Sequence, residues 1–260
     1  MATMQLRFAS AGRTDVGKVR ALNEDRFIDR PSIGLWAVAD GMGGHQAGEV
    51  ASGMLADALT AVETFDSGYA FLDNVQDAIE RVNRALVAHA AISAPGTVIG
   101  STIVVLIAYQ GHYACLWAGD SRAYLLRGGH FEQITRDHSM VQEMIDSGAL
   151  ARRDAKSYGR SNVITRAVGV NDRLALDLHQ GPIADGDIFL LCSDGLTNML
   201  DDHEIATVLR GADVGAAADT LIAMTLDRGA KDNVTSVIVR AIRDADDTLD
   251  PNFVVSRTAA

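Results

Sequence analysis

The chain has 260 residues, 48% of them hydrophobic, with 24 glycines and only 4 prolines, enough apolar material for a globular domain with a substantial core. A formal charge of −11 argues against a nucleic-acid partner or an anionic membrane surface, either of which needs a basic face. No stretch approaches the roughly 20 apolar residues of a membrane span, and the opening MATMQLRFASAGRTDVGKVR has no apolar segment of the signal-peptide kind. The expectation is a cytoplasmic monomer whose two cysteines, Cys115 and Cys192, are buried free thiols.

In chain order, the first strand-like run is 33–39, preceded by a short strand after NEDRF. Ala47, Val50, Ala51, Met54, Leu55, Ala58, Leu59 and Val62 keep the three-four spacing of a one-sided apolar helix, and Leu72, Val75, Ile79, Val82 and Leu86 give a second such stripe. Strand-like runs follow at 102–108, 113–118, 123–126 and 188–193; a third helical stripe runs from Val214 to Ile222, and a last strand over 234–240. Several of these strands are apolar on both faces, so both faces should be covered. The turns YQGHY and RGGH suit antiparallel hairpins. Consecutive strands with helices in pairs between them predict an α+β layered domain of antiparallel sheets with helices outside. Residues 137–170 are more polar and read as an insertion over a sheet edge. RDADDTLDPNFVVSRTAA at the end reads as an acidic tail, 244–260, in which Phe253, Val254 and Val255 could dock.

Carboxylates stand at the strand ends. Asp40 closes LWAVAD, Asp120 closes ACLWAGD, Asp194 follows IFLLCS, and Asp232 precedes NVTSVIV; Glu24 and Asp25 lie ahead of the first short strand. Strand exits and strand entries of antiparallel neighbours share a rim, so these acids can converge. Crowded acids repel and lose hydration, and a cation relieves both costs. The candidates are all oxygen donors, which suits Mg²⁺ or Mn²⁺ and not zinc or copper. Bridging carboxylates suit two ions acting together in phosphoryl chemistry. Gly41 could turn its carbonyl toward an ion at close range. Taken one at a time, Asp-Gly and Asp-Asn at strand ends are ordinary turn chemistry; the joint pattern is what points to a site.

Other chemistries lack their residues. Gln46 stands where a G-x-G-x-x-G cradle starting at Gly41 needs its last glycine. Neither cysteine has the arginine six positions on that a cysteine phosphatase requires, since Asn198 and Ser121 stand there, and G-x-S-x-G and H-E-x-x-H are absent. His89 and His203 read as surface or capping residues, whereas His45 and His138 lie beside the motifs.

Taken together, VRALNEDRF (19–27), VADGMGGHQAGEVAS (38–52), GST (100–102), WAGDSRAYLLR (117–127), SNVITRAVG (161–169), LLCSDGLTNML (190–200) and DNVTSVIV (232–239) resemble the metal-dependent protein phosphatases of type 2C (PPM), bacterial branch. The resemblance implies a four-layer α-β-β-α sandwich, with a catalytic domain over 1–243 and a flap at 137–170. It implies Mg²⁺ or Mn²⁺, two ions in the core and a third possible. Asp40 would bridge the two ions, Gly41 would offer its carbonyl, Asp194 and Asp232 would complete the set, and Asp120 with Asp194 would hold the third. Arg20 would hold the substrate phosphate, Glu24 would act through water at the metal with Asp25 beside it, and Asn233 would steady the site. Water activated at the ions would then attack the phosphorus of phosphoserine or phosphothreonine. The implied partners are phosphorylated proteins, a Ser/Thr kinase and its substrates. Many eukaryotic relatives carry histidine where Met42 stands, and a thioether cannot donate a proton, so no general acid is assigned. A non-catalytic phosphatase-fold sensor and a two-metal nuclease are the competing readings.

Overall fold

The computed structural model describes residues 6–43, 47–63, 65–93, 98–158 and 163–243, with the backbone alone at 155–157. His45 and the segment 244–260, with Phe253, Val254 and Val255, lie outside the described residues.

Two sheets carry the fold. The first runs β1 (Leu6–Asp15), β11 (Val234–Arg243), β10 (Ile188–Cys192), β7 (Arg122–Arg127) and β8 (His130–Gln133). The second runs β2 (Asp25–Arg30), β3 (Leu35–Gly43), β5 (Ile103–Tyr109), β6 (His112–Ala118) and β9 (Asp177–Pro182), and β4 (Ile99–Ser101) pairs with the far end of β3. Every pairing is antiparallel. Both expected hairpins are present. Gln110 and Gly111 sit at φ 45° and 77°, and Gly128 and Gly129 at 55° and 87°, so each two-residue turn has both central residues left-handed, the twist that suits tight hairpins.

Period-two alternation explains the layers. Along β3, Trp36 and Val38 face the other sheet and pack with Val104, Leu106, Trp117, Leu125, Phe189, Leu191, Val237 and Val239. Leu35, Ala37 and Ala39 face outward, under Leu55 and Leu59 of α1 (Ala47–Thr60) and Val75, Ile79 and Leu86 of α2 (Gly68–Ile92). On the other side, Tyr124, Leu126, Ile188, Leu190 and Ile238 pack beneath α5 (Asp202–Gly211) and α6 (Val214–Asp227), through Leu209, Ala218 and Leu221. The result is the four-layer α-β-β-α sandwich expected from the sequence. Both cysteines are buried and free.

Four strands lie outside the runs read from the sequence, among them the three-residue β4. β1 (LRFASAGRTD) has only Leu6 and Phe8 as large apolar residues, while the edge strands β8 and β9 are mostly exposed and so carry no apolar run. Between β8 and β9 the chain forms α3 (Met140–Asp146) and a 3₁₀ turn (Arg152–Ser157), and returns through bridges Ser139–Ile164 and Ser101–Val168. Among the described residues no helix is long and apolar enough to cross a membrane.

Candidate active site

The alternation that builds the core also builds the site. Continuing β3 past Trp36 and Val38 puts Asp40 on the inter-sheet face, and Asp25 stands directly opposite it in the β2–β3 register. On β10 the series Phe189, Leu191 continues to Ser193; on β11 the series Val239, Val237 continues to Thr235. At this end of the sandwich the apolar core therefore gives way to polar side chains. Asp25, 1% exposed, accepts hydrogen bonds at Oδ2 from Ser193 Oγ (2.8 Å) and Thr235 Oγ1 (2.7 Å), which ties the two sheets together. Its Oδ1 is buried without a hydrogen-bond partner among the described residues.

The other acids face the same place. Asp40 is pushed well above the ordinary carboxylate range by burial and then by Asp25, Asp194, Asp120 and Asp232. Asp25 is pushed up to about 6, by burial first and by Asp194 and Asp232 against the pull of its two hydroxyl donors. Asp120, in the turn after β6, is pushed up to about 8 by burial, Asp194 and Asp137, with Arg122 opposing. Asp194 begins the short helix α4 (Asp194–Thr197) and accepts from Asn198 Nδ2 at 3.0 Å; burial and Asp232 push it up. The five aspartates named from the sequence are thus one electrostatic cluster.

Arg20 is half exposed and donates through Nη2 to Asp232 Oδ2 at 2.8 Å. Glu24 is held by its main chain: its N–H donates to Asn233 Oδ1 (2.8 Å), and its carbonyl accepts from Gly41 N (3.1 Å) and Ser52 Oγ (2.5 Å). Asn233 also donates through Nδ2 to the carbonyls of Val16 and Leu22, both at 2.9 Å, so one amide staples both ends of the loop that presents Arg20.

Gly41 has a reason the sequence did not reveal. A Cβ on it would lie 2.1 Å from Gly48 O, and one on Gly48 would lie 2.6 Å from Gly41 C and 2.7 Å from Glu24 Oε1. The strand carrying Asp40 and the first turn of α1 touch backbone to backbone, which only glycine permits. Residues the sequence reading did not assign support the cluster. Thr102 Oγ1 accepts from Asp40 N (3.1 Å) and meets Ser121 Oγ (2.7 Å), and Arg122 binds Asp137 in a fork beneath Asp120. Thr102, Ser193 and Thr235 are marked in the sequence only by lying within the motifs GST, LLCSDGLTNML and DNVTSVIV.

Among the described residues no three Asp, Glu, His or Cys side chains already stand as a closed set of ligands, and Arg20 occupies one carboxylate. The chemistry nonetheless fits a hard divalent cation: the donors are all oxygen, the acids repel one another, and a buried carboxylate oxygen lacks a partner.

The sandwich with this acid cluster at one end defines the class, that of metal-dependent phosphatases. The family model of Protein phosphatase 2C matches residues 13–144, and the chain belongs to that family. It is 37% identical over 238 residues to the serine/threonine phosphatase stp of Listeria innocua, covering 87% of this chain and 93% of that one. Among solved structures, PppA, a key regulatory component of T6SS in Pseudomonas aeruginosa, is 42% identical with a TM-score of 0.85, over 91% of this chain and 98% of that one. The catalytic domain of the serine/threonine protein phosphatase PstP in complex with 2 manganese ions is 35% identical with a TM-score of 0.81, over 92% of this chain and 100% of that one. The chain is accordingly a metal-dependent protein serine/threonine phosphatase.

Proposed function

We propose that the aspartate cluster is the catalytic centre and that it hydrolyses phosphoserine and phosphothreonine in proteins phosphorylated by a Ser/Thr kinase, which this enzyme opposes. The observation that carries the reading is the convergence of Asp25, Asp40, Asp120, Asp194 and Asp232 at the mouth of the inter-sheet core. Asp40, Asp194, Asp232 and the carbonyl of Gly41 would hold two Mn²⁺ or Mg²⁺ ions, with Asp120 and Asp194 available to a third. Bound ions would supply Lewis acidity toward the phosphoryl oxygens and make water a better nucleophile near neutral pH.

The chain's own residues do the rest. Arg20 is placed to leave Asp232 and meet two phosphate oxygens with its fork, which is why lysine would replace it poorly. Asn233 keeps that loop in place. Glu24, with its side chain against Gly48, can accept a proton from water at the edge of the cluster. Residues 137–170 act as the flap over this end of the sandwich, and 1–243 as the catalytic domain. Retention of every acid in the cluster speaks against the non-catalytic reading.

Hydrolysis of p-nitrophenyl phosphate and of a phosphothreonine peptide, followed as Mn²⁺ is titrated, tests the assignment. Asp40→Ala and Asp194→Ala should each lose more than the roughly 100-fold that removal of an outer-shell partner costs. Full activity of either variant in excess chelator would refute the centre.

A further inference from the structure

We infer that His138 is a positioning residue that holds the turn carrying Asp120 against the base of the 137–170 segment. The inference rests on the proposed role of Asp120 as a metal ligand.

His138 is 9% exposed and grips a single residue of that turn from both sides. Its main-chain N–H donates to Gly119 O at 2.9 Å, and its Nδ1 accepts from Gly119 N at 3.1 Å. Accepting at Nδ1 places the ring proton on Nε2. That nitrogen is buried 3.3 Å from Asp177 Oδ2 but without hydrogen-bond alignment. Asp177, at the start of β9, is in turn bound by Arg166, so the ring sits between the Asp120 turn and the Arg166–Asp177 pair. The indole of Trp117 lies nearly parallel to the imidazole, 12° apart in plane, and limits its tilt.

The same residue closes the flap. Thr165 N donates to His138 O at 2.8 Å, Ser139 bridges Ile164, and Met140 N donates to Val163 O at 2.9 Å. Gly119 sits at φ +115°, and a Cβ there would lie 2.6 Å from Thr102 Cβ. Gly119 has no side chain to anchor it, so on this side the turn is held by the two bonds with His138, while Ser121 Oγ meets Thr102 Oγ1 on the other. The bonds to Gly119 O and from Thr165 N belong to the main chain of residue 138, and the bond from Gly119 N to Nδ1 is the one that the imidazole supplies and that packing alone would not need. The flap base is thereby joined to the Asp120 turn, and Thr102, which meets Ser121 Oγ and accepts from Asp40 N, joins that turn to the core of the cluster.

Two polar variants separate this role from packing. In His138→Asn the amide oxygen can stand where Nδ1 stood and keep the bond from Gly119 N. In His138→Gln the amide reaches toward Asp177 and leaves Gly119 N without its acceptor. Calorimetric titration of the whole chain with Mn²⁺, in wild-type and Asp120→Ala backgrounds, is the readout, with melting in chelator as the check on folding. We expect His138→Gln to weaken the weakest Mn²⁺ step by about tenfold or more, His138→Asn to titrate like wild type, and the Gln effect to vanish in the Asp120→Ala background. Equal isotherms for the two variants, or an undiminished Gln effect without Asp120, would overturn the role of His138. An Asp120→Ala isotherm identical to wild type would overturn the Asp120 assignment, and the inference with it.

Discussion

Asp25 carries two opposed duties. Its Oδ2 accepts two hydroxyl bonds from the facing sheet, while its Oδ1 is buried among like charges with no donor among the described residues. In Asp25→Asn the amide oxygen can keep both hydroxyl bonds, and the NH₂ can point at Asp40, Asp194 and Asp232. Removing the charge should stabilise the metal-free protein on the order of 2 kcal/mol at pH 7.5, while shrinking the rise in melting temperature that Mn²⁺ produces. Thermal melts in chelator and in Mn²⁺ give both numbers; a destabilised metal-free variant would show that the charge is compensated by something else. Asn233 has a purely positional duty. Asn233→Ala strips the Glu24, Val16 and Leu22 bonds at once, each worth about 1 kcal/mol. Because the freed loop carries Arg20, KM for p-nitrophenyl phosphate should rise by about tenfold or more, with kcat falling less. Steady-state kinetics showing a loss in kcat alone would place Asn233 outside substrate binding.

At the scale of elements, the contact between β3 and α1 sets where Asp40 points, and two glycines of one helix test it. Gly48→Ala would drive a Cβ into the backbone of Gly41, where nothing can rotate away, so α1 must lift off the strand; a loss of about 1–3 kcal/mol is expected in urea unfolding. Gly53→Ala, a few residues along the same helix, meets nothing within 4 Å and should gain up to about 1 kcal/mol from helix propensity. Equal responses would mean the close approach is not what requires glycine. Such contacts also mark the boundary of what was readable in advance. Strands 33–39, 102–108 and 188–193 announced themselves because burial on both faces leaves an unbroken apolar run, and the acids were visible because each interrupts such a run. β1 was not, since its large apolar residues are only Leu6 and Phe8 on the inter-sheet face, while small Ala11 meets the cluster beneath α6 on the other. Nor were the partners of Asp25: Ser193 and Thr235 are 168 and 210 residues away, and only the pairing of β10 with β11 and the packing of the two sheets bring them together. A glycine-rich stretch after Asp40 signalled unusual backbone, but whether for a turn, a ligand or a neighbouring helix depended on where α1 docked.

For the molecule as a whole, the acid cluster makes metal-free stability depend on pH with a definite sign. Asp25 is raised to about 6 and Asp120 to about 8, and Asp40 and Asp194 are raised as well, each by burial first. Their folded values lie above the unfolded ones, so the native state binds more protons than the unfolded chain as pH climbs from about 4 to about 8, and stability falls across that window. Asp177, held down by Arg166 despite burial, and Asp146, held down chiefly by Arg136, work the other way: their contribution is present above the unfolded value and is lost as pH drops through the lowered one. The two trends together put the stability maximum of the metal-free protein near pH 4, about the unfolded carboxylate value. Divalent ions compete with protons for the same oxygens, so Mn²⁺ should raise the melting temperature little at pH 5 and progressively more toward pH 8.5, moving the maximum upward. Melting curves across this range, with chelator and with Mn²⁺, decide the matter. A metal-free melting temperature that holds level or climbs from pH 5 to 8.5 would mean that the aspartates do not share one buried pocket in solution.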